Sequence, residues 1–99
     1  MRIRFADDRL RKLYEDPLAR DPRLGRDLIK SFRKKMQFLA SATNEQDIRA
    51  MKSLRLEKLG GDRDGQHSIR LNDQWRLILV FEHDPDGRLV IVVEIVDYH

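Results

Sequence analysis

The run Leu89-Val90-Ile91-Val92-Val93-Glu94-Ile95-Val96 constrains this chain more than any other segment. Seven of its eight residues are apolar and most are β-branched, so it reads as a strand with no polar face to give to water. Such a strand is expected in the centre of a sheet, covered on both sides. Asp84-Pro85-Asp86-Gly87 is a strong turn leading into it. Before that turn, Trp75, Leu77, Leu79 and Phe81 alternate with Arg76, Ile78 and Val80, which predicts a strand over 75–82 with those two faces. His67 to Leu71 reads as its antiparallel neighbour, joined around Asn72-Asp73. Leu54, Leu56 and Leu59 suggest one more strand, ended by Gly60-Gly61 and Gly65, and Arg2-Ile3-Arg4-Phe5 alternates like a short half-buried one.

Between the first strand and Ser53 the apolar period is helical. Asp7 or Asp8 can cap a short helix through Leu10, Leu13 and Tyr14, which Pro17 ends. Asp21-Pro22 predicts the start of a longer helix, with Leu24, Leu28, Ile29, Phe32, Met36 and Leu39 as its apolar stripe. Thr43 with Gln46 fits a capping box for a third, short helix near Ile48 to Met51. The order β-α-α-β-β-β-β implies a compact α+β domain over residues 1–99, with two N-terminal helices packed on one face of a mostly antiparallel sheet. No repeat, linker or low-complexity segment interrupts it.

Composition narrows the function. There is no apolar run near the ~20 residues that span a membrane, so no membrane partner is expected. Without cysteine there is neither a disulfide framework nor a thiolate site, and a reducing cytoplasm is the simplest setting. Residues 1–40 hold twelve Lys and Arg against six Asp and Glu, whereas residues 41–99 hold eight against eleven. Arg23, Arg26, Lys30, Arg33, Lys34 and Lys35 fall on the polar face of the long helix. That face is either a solvated surface or a grip for a polyanion or an acidic protein.

The residues with chemistry lie in the C-terminal half. Asp97, Tyr98 and His99 follow directly on the last strand, an acid, a phenol and an imidazole in a row. Alternation puts Asp97 and His99 with Ile95, and Tyr98 opposite. Arg76 sits on a strand whose other members are apolar, and either pairs with a carboxylate such as Asp97 or projects its fork into a concave face. There it would hold a phosphate bidentately. Asp97, His99 and Arg76 are therefore expected around one concave sheet edge. Arg63, in a glycine-flanked loop, is a second candidate phosphate contact or an exposed turn residue. His67 opens a strand and either faces the same cavity or is a satisfied structural histidine. The three histidines lack ligand spacing, so no metal site is expected. A phosphate-binding glycine loop and a nucleophile elbow are missing too.

Two stretches together, Leu59-Gly60-Gly61-Asp62-Arg63-Asp64-Gly65-Gln66-His67-Ser68-Ile69-Arg70-Leu71-Asn72-Asp73-Gln74-Trp75-Arg76 and Val93-Glu94-Ile95-Val96-Asp97-Tyr98-His99, resemble the HigB toxins of the RelE/ParE superfamily. The likeness is detailed in the C-terminal half and extends to the order and length of the whole chain. It implies a RelE-like fold and the toxin of a bacterial type II toxin–antitoxin system: a ribosome-dependent mRNA endonuclease, independent of metal and cofactor, neutralised by a HigA-like helix-turn-helix antitoxin. It implies no direct DNA binding by the toxin alone.

Carried over by residue, the family's terminal acid, tyrosine and histidine fall on Asp97, Tyr98 and His99, and its post-tryptophan arginine on Arg76. RNA or phosphate contacts are expected from Arg63, Lys58, Arg70 and His67, and from Arg26, Lys30, Arg33 and Lys34 on the helix. The sequence departs from the pattern at one point. Some members place a catalytic lysine directly before the Gly-Asp-Arg run, where this chain has Gly60, with Lys58 two residues upstream; Lys58 or Arg63 would then supply that cation. Two other readings fit the same fold: a ParE-like gyrase inhibitor without nuclease activity, and a non-catalytic RNA- or antitoxin-binding relative.

Overall fold

The computed structural model describes residues 1–97. The elements run β1 (Arg2–Phe5), α1 (Asp8–Glu15), α2 (Arg26–Ser41), α3 (Glu45–Ala50), β2 (Glu57–Lys58), β3 (His67–Arg70), β4 (Trp75–Asp84) and β5 (Gly87–Asp97), with short 3-10 turns at Lys52–Leu54 and Gly61–Arg63. The sheet order is β1-β5-β4-β3-β2, with β1 parallel to β5 and every other pairing antiparallel. The α+β architecture is thus the expected one, with a third helix added to the two that dominate the sequence pattern.

Pairing register assigns the two faces. Ile69 lies opposite Leu77 and Leu77 opposite Ile95, while His67 lies opposite Leu79 and Leu79 opposite Val92. This face packs on Leu10 and Leu13 of α1, on Leu28, Phe32, Met36 and Leu39 of α2 and on Ile48 of α3, and forms the core. The other face carries Arg70, Arg76 and Val96 in one row and Ser68, Ile78 and Glu94 in the next. This second, open face lies on the side of the sheet away from the helices that pack on the core. β5 is central as expected, between β1 and β4, and its two faces are covered unequally: Val90 and Val92 are fully buried toward the helices, whereas on the other face Leu89 is buried and Ile91 and Val96 are half-buried. Strand neighbours and long charged side chains shield this face enough for apolar residues to be tolerated there.

Three local expectations shift. Asp21 does not begin α2; its carboxylate accepts from the Arg23 N–H and its carbonyl from the Leu24 N–H, closing a separate turn, and α2 starts after Gly25. For α3 the cap is Asn44, which accepts from the Asp47 N–H, while the Asp47 carboxylate accepts from the Thr43 N–H. The pair is Asn44 and Asp47 in place of Thr43 and Gln46, and Asp47 reaches the N–H of the residue before the cap rather than the cap's own. Leu54 ends a 3-10 turn, and only Glu57 and Lys58 pair as β2. Asp7 caps α1 as expected. The β4–β5 turn needs Gly87, whose φ of +115° suits glycine alone.

Candidate active site

Arg76 enters the open face from the second position of β4, and only 6% of it is exposed. Burying a guanidinium demands acceptors, and the fold supplies them. Ser68, wholly buried on β3, accepts through Oγ from Nε at 3.2 Å and from Nη2 at 2.9 Å. Nη2 also donates to the Arg55 carbonyl at 2.7 Å, and the Glu57 carboxylate lies 3.7 Å away. Arg63 stands over the next row: its guanidinium donates to Glu94 at 2.5 Å and to the Gln66 side-chain carbonyl at 3.0 Å. Register puts Glu94 opposite Ile78, on the Arg76 face, so Arg76 and Arg63 occupy one side of the sheet.

Asp97 lies opposite Trp75, and Arg76 opposite Val96. The two side chains therefore leave the same end of the sheet on opposite faces, so a common edge, not a common face, is what they share. What unites them is position at the strand ends, where the Asp97 carboxylate is exposed and accepts from the Gln74 amide at 3.0 Å. Tyr98 and His99 lie outside the described residues.

His67 belongs to the helix face, away from Arg76. Its Nε2 is 3.2 Å from the Glu45 carboxylate of α3, and its ring meets Phe81 edge-on with centroids 5.1 Å apart. Burial holds its pKa below the ordinary histidine value, against the pull of Glu45. Nδ1 is buried with no hydrogen-bond partner among the described residues. Of the two sequence readings, the structural histidine is the one that matches this placement. Lys58 lies opposite His67 in register, so it is directed to the face away from Arg76, and it is exposed. Arg70 lies directly across from Arg76 and ion-pairs with Asp73.

A family model described as the RelE-like toxin of the type II toxin–antitoxin system HigB matches residues 3–99. The Toxin HigB-1 of Vibrio cholerae is 35% identical over 78 residues, which are 79% of this chain and 81% of that protein. The chain belongs to the HigB family of RelE-like toxins. Solved structures agree on the fold. The YoeB/ParE toxin from Agrobacterium tumefaciens superposes with a TM-score of 0.56 at 13% identity, covering 100% of both chains. The toxin in the YoeB–YefM complex of Staphylococcus aureus gives 0.54 at 16% identity, over 100% of this chain and 97% of that one.

Within this HigB-family chain the basic helix divides into two kinds of cation. Arg26, Lys30 and Lys34 are exposed on α2. Arg33 is half-buried and donates to the carbonyls of Leu13, Asp16 and Ala19 at 2.9 to 3.1 Å, which ties α2 to the end of α1 and the turn beyond. A cavity of ≈ 700 Å³ opens here, where Arg20, Arg26, Lys30 and Arg33 line it together with one acid, Asp27. On the far flank, burial and the neighbouring charges of Lys34 and Arg70 hold the Lys35 pKa below the usual lysine value. Sequence reasoning missed Ser68, Arg55, Glu57 and Glu94 as members of the site. Only Ser68 gave a signal, as a small polar residue on a strand flanked by an inward-facing position.

Proposed function

We propose that this HigB-family toxin is a ribosome-dependent mRNA endonuclease acting in the cytoplasm without metal or cofactor. The observation that carries the reading is a buried, hydrogen-bonded Arg76 at the sheet end from which the Asp97-Tyr98-His99 terminus continues, in a chain that matches the family through residue 99. An RNA 2′-OH attacks the adjacent phosphorus while a base removes its proton, an acid protonates the leaving 5′-oxygen, and a cation steadies the phosphorane. His99 serves as acid or base, Asp97 as its partner or orienter, and Tyr98 stacks on or positions a base. Arg76 holds the phosphate. Arg63 supplies the second cation in preference to Lys58, because it shares the Arg76 face. The required 2′-OH excludes DNA as a substrate.

Arg26, Lys30 and Lys34, continued by Lys35 and Arg70, grip ribosomal RNA in this reading, an attraction that weakens with salt. A HigA-like antitoxin holds the toxin inactive; complexes with an antitoxin are known for the fold relatives YoeB of Staphylococcus aureus and RelE2 of Mycobacterium tuberculosis. The test is cleavage of a defined mRNA on translating ribosomes. The wild-type chain should cut and leave 2′,3′-cyclic phosphate ends, and His99→Ala should lose nearly all cutting while melting at the wild-type temperature. A fully active His99→Ala would remove the acid–base role. Growth arrest with gyrase-linked DNA damage and intact mRNA would replace the reading with the ParE-like one.

A further inference from the structure

Arg55 has φ +47° and ψ +57°, and among the described residues it alone of the non-glycines has positive φ. The left-handed region costs a non-glycine residue on the order of 1–2 kcal/mol, so something has to hold it there. Its side chain is exposed, whereas its carbonyl accepts from Arg76 Nη2 at 2.7 Å. Ser68 meets the same guanidinium from another side, its Oγ accepting from both Nε and Nη2. Ser68 lies opposite Ile78 while Arg70 lies opposite Arg76, so the hydroxyl is a diagonal cross-strand neighbour of Arg76 on the shared face. A side-chain hydroxyl from β3 and a main-chain oxygen from the turn before β2 therefore meet one guanidinium from two different elements.

We propose that Ser68 and the left-handed main chain at Arg55 are positioning elements that hold the Arg76 guanidinium in a fixed place beside the scissile phosphate, a role that rests on the nuclease reading above. Neither touches the phosphate. An arginine side chain is rich in rotamers, and a guanidinium left to sample several of them presents the wrong geometry to a developing phosphorane most of the time. Two acceptors on different elements remove that freedom before substrate arrives. The Glu57 carboxylate, 3.7 Å from Nη2, adds attraction without fixing the plane.

The two elements make different demands on substitution. Ser68→Ala deletes the hydroxyl. Arg55→Val disfavours positive φ because its side chain is β-branched, while Arg55→Gly keeps the conformation and discards only the side chain. Ribosome-bound cleavage rates at saturation should fall about ten- to a hundredfold in Ser68→Ala and Arg55→Val, with the ribosome concentration at half-saturation unchanged, and should fall less in Arg55→Gly, which keeps the main-chain conformation. In an Arg76→Ala background, Ser68→Ala and Arg55→Val should have no further effect. Independently of cleavage, the Arg76 Nε–H resonance should be protected from exchange in the wild type and in Arg55→Gly, and lose that protection in the two disruptive variants.

An unchanged rate or an unchanged Nε–H signal in Ser68→Ala overturns the proposal. So does an equal further loss in the Arg76→Ala background, which would mean that the variants merely weaken the fold. Arg55→Gly falling as far as Arg55→Val overturns the main-chain role. If the wild-type chain fails to cleave while the Nε–H signals respond as expected, the nuclease reading fails, and the catalytic purpose of the clamp fails with it.

Discussion

His67 shows how one residue type serves opposite ends depending on which face of a strand it takes. A one-position change in alternation would have put the imidazole beside Arg76; register instead sets it opposite Leu79, under α3. There it is a pH liability. Its folded pKa is depressed by burial, so on acidification the unfolded chain takes up the proton first. The stability it contributes is fully present above the unfolded value of about 6.5 and is lost as pH falls from there toward the lower folded value. Melting temperatures measured between neutral pH and about pH 5 should drop more steeply for the wild type than for His67→Gln. Parallel curves would mean that Glu45 compensates the imidazolium fully.

At the scale of elements, α2 separates charge that serves the fold from charge left for a partner. Arg33 donates to three carbonyls near the end of α1, so Arg33→Glu should cost about 1–3 kcal/mol in denaturant unfolding. Reversing Arg26, Lys30 and Lys34 together should leave the melting temperature near wild type and abolish ribosome binding and mRNA cleavage. For every phosphate that is no longer neutralised, the salt dependence of ribosome binding should fall by roughly one unit of slope. If the triple variant binds ribosomes as the wild type does but no longer binds its antitoxin, the positive groove serves an acidic protein instead.

For the whole molecule, one core lies between three helices and one face of the sheet, and Leu77 sits at its centre with 0% exposure. Leu77→Ala should cost about 2–5 kcal/mol through lost burial and an unfilled cavity. In a marginally stable domain of this size that loss should relieve toxicity by depleting folded protein, visible as reduced soluble protein and a lowered melting transition. His99→Ala should relieve toxicity with neither change, and the contrast separates a folding defect from a chemical one.

The period of the apolar residues was enough to determine most element types, the two faces of β4 and the α+β class, because alternation and helical spacing are local consequences of backbone geometry; it failed at Leu54, which ends a 3-10 turn. Short motifs were enough to place the family, with Trp75-Arg76 and Asp97-Tyr98-His99 at its ends. Cap positions were less legible: Asp21-Pro22 reads equally well as a turn or a helix start, and in the structure Asp21 closes a separate turn while α2 starts after Gly25. Three matters belonged to the tertiary structure alone. Pairing register decided that Asp97 and Arg76 leave the sheet end on opposite faces, and that His67 and Lys58 turn away from Arg76. Chain folding between residues 42 and 66 brought the Arg55 carbonyl and the Arg63 guanidinium over the open face. The helix-to-helix approach turned Arg33 from a surface charge into a clamp. Each depends on interactions between residues far apart in the chain, which no local pattern encodes.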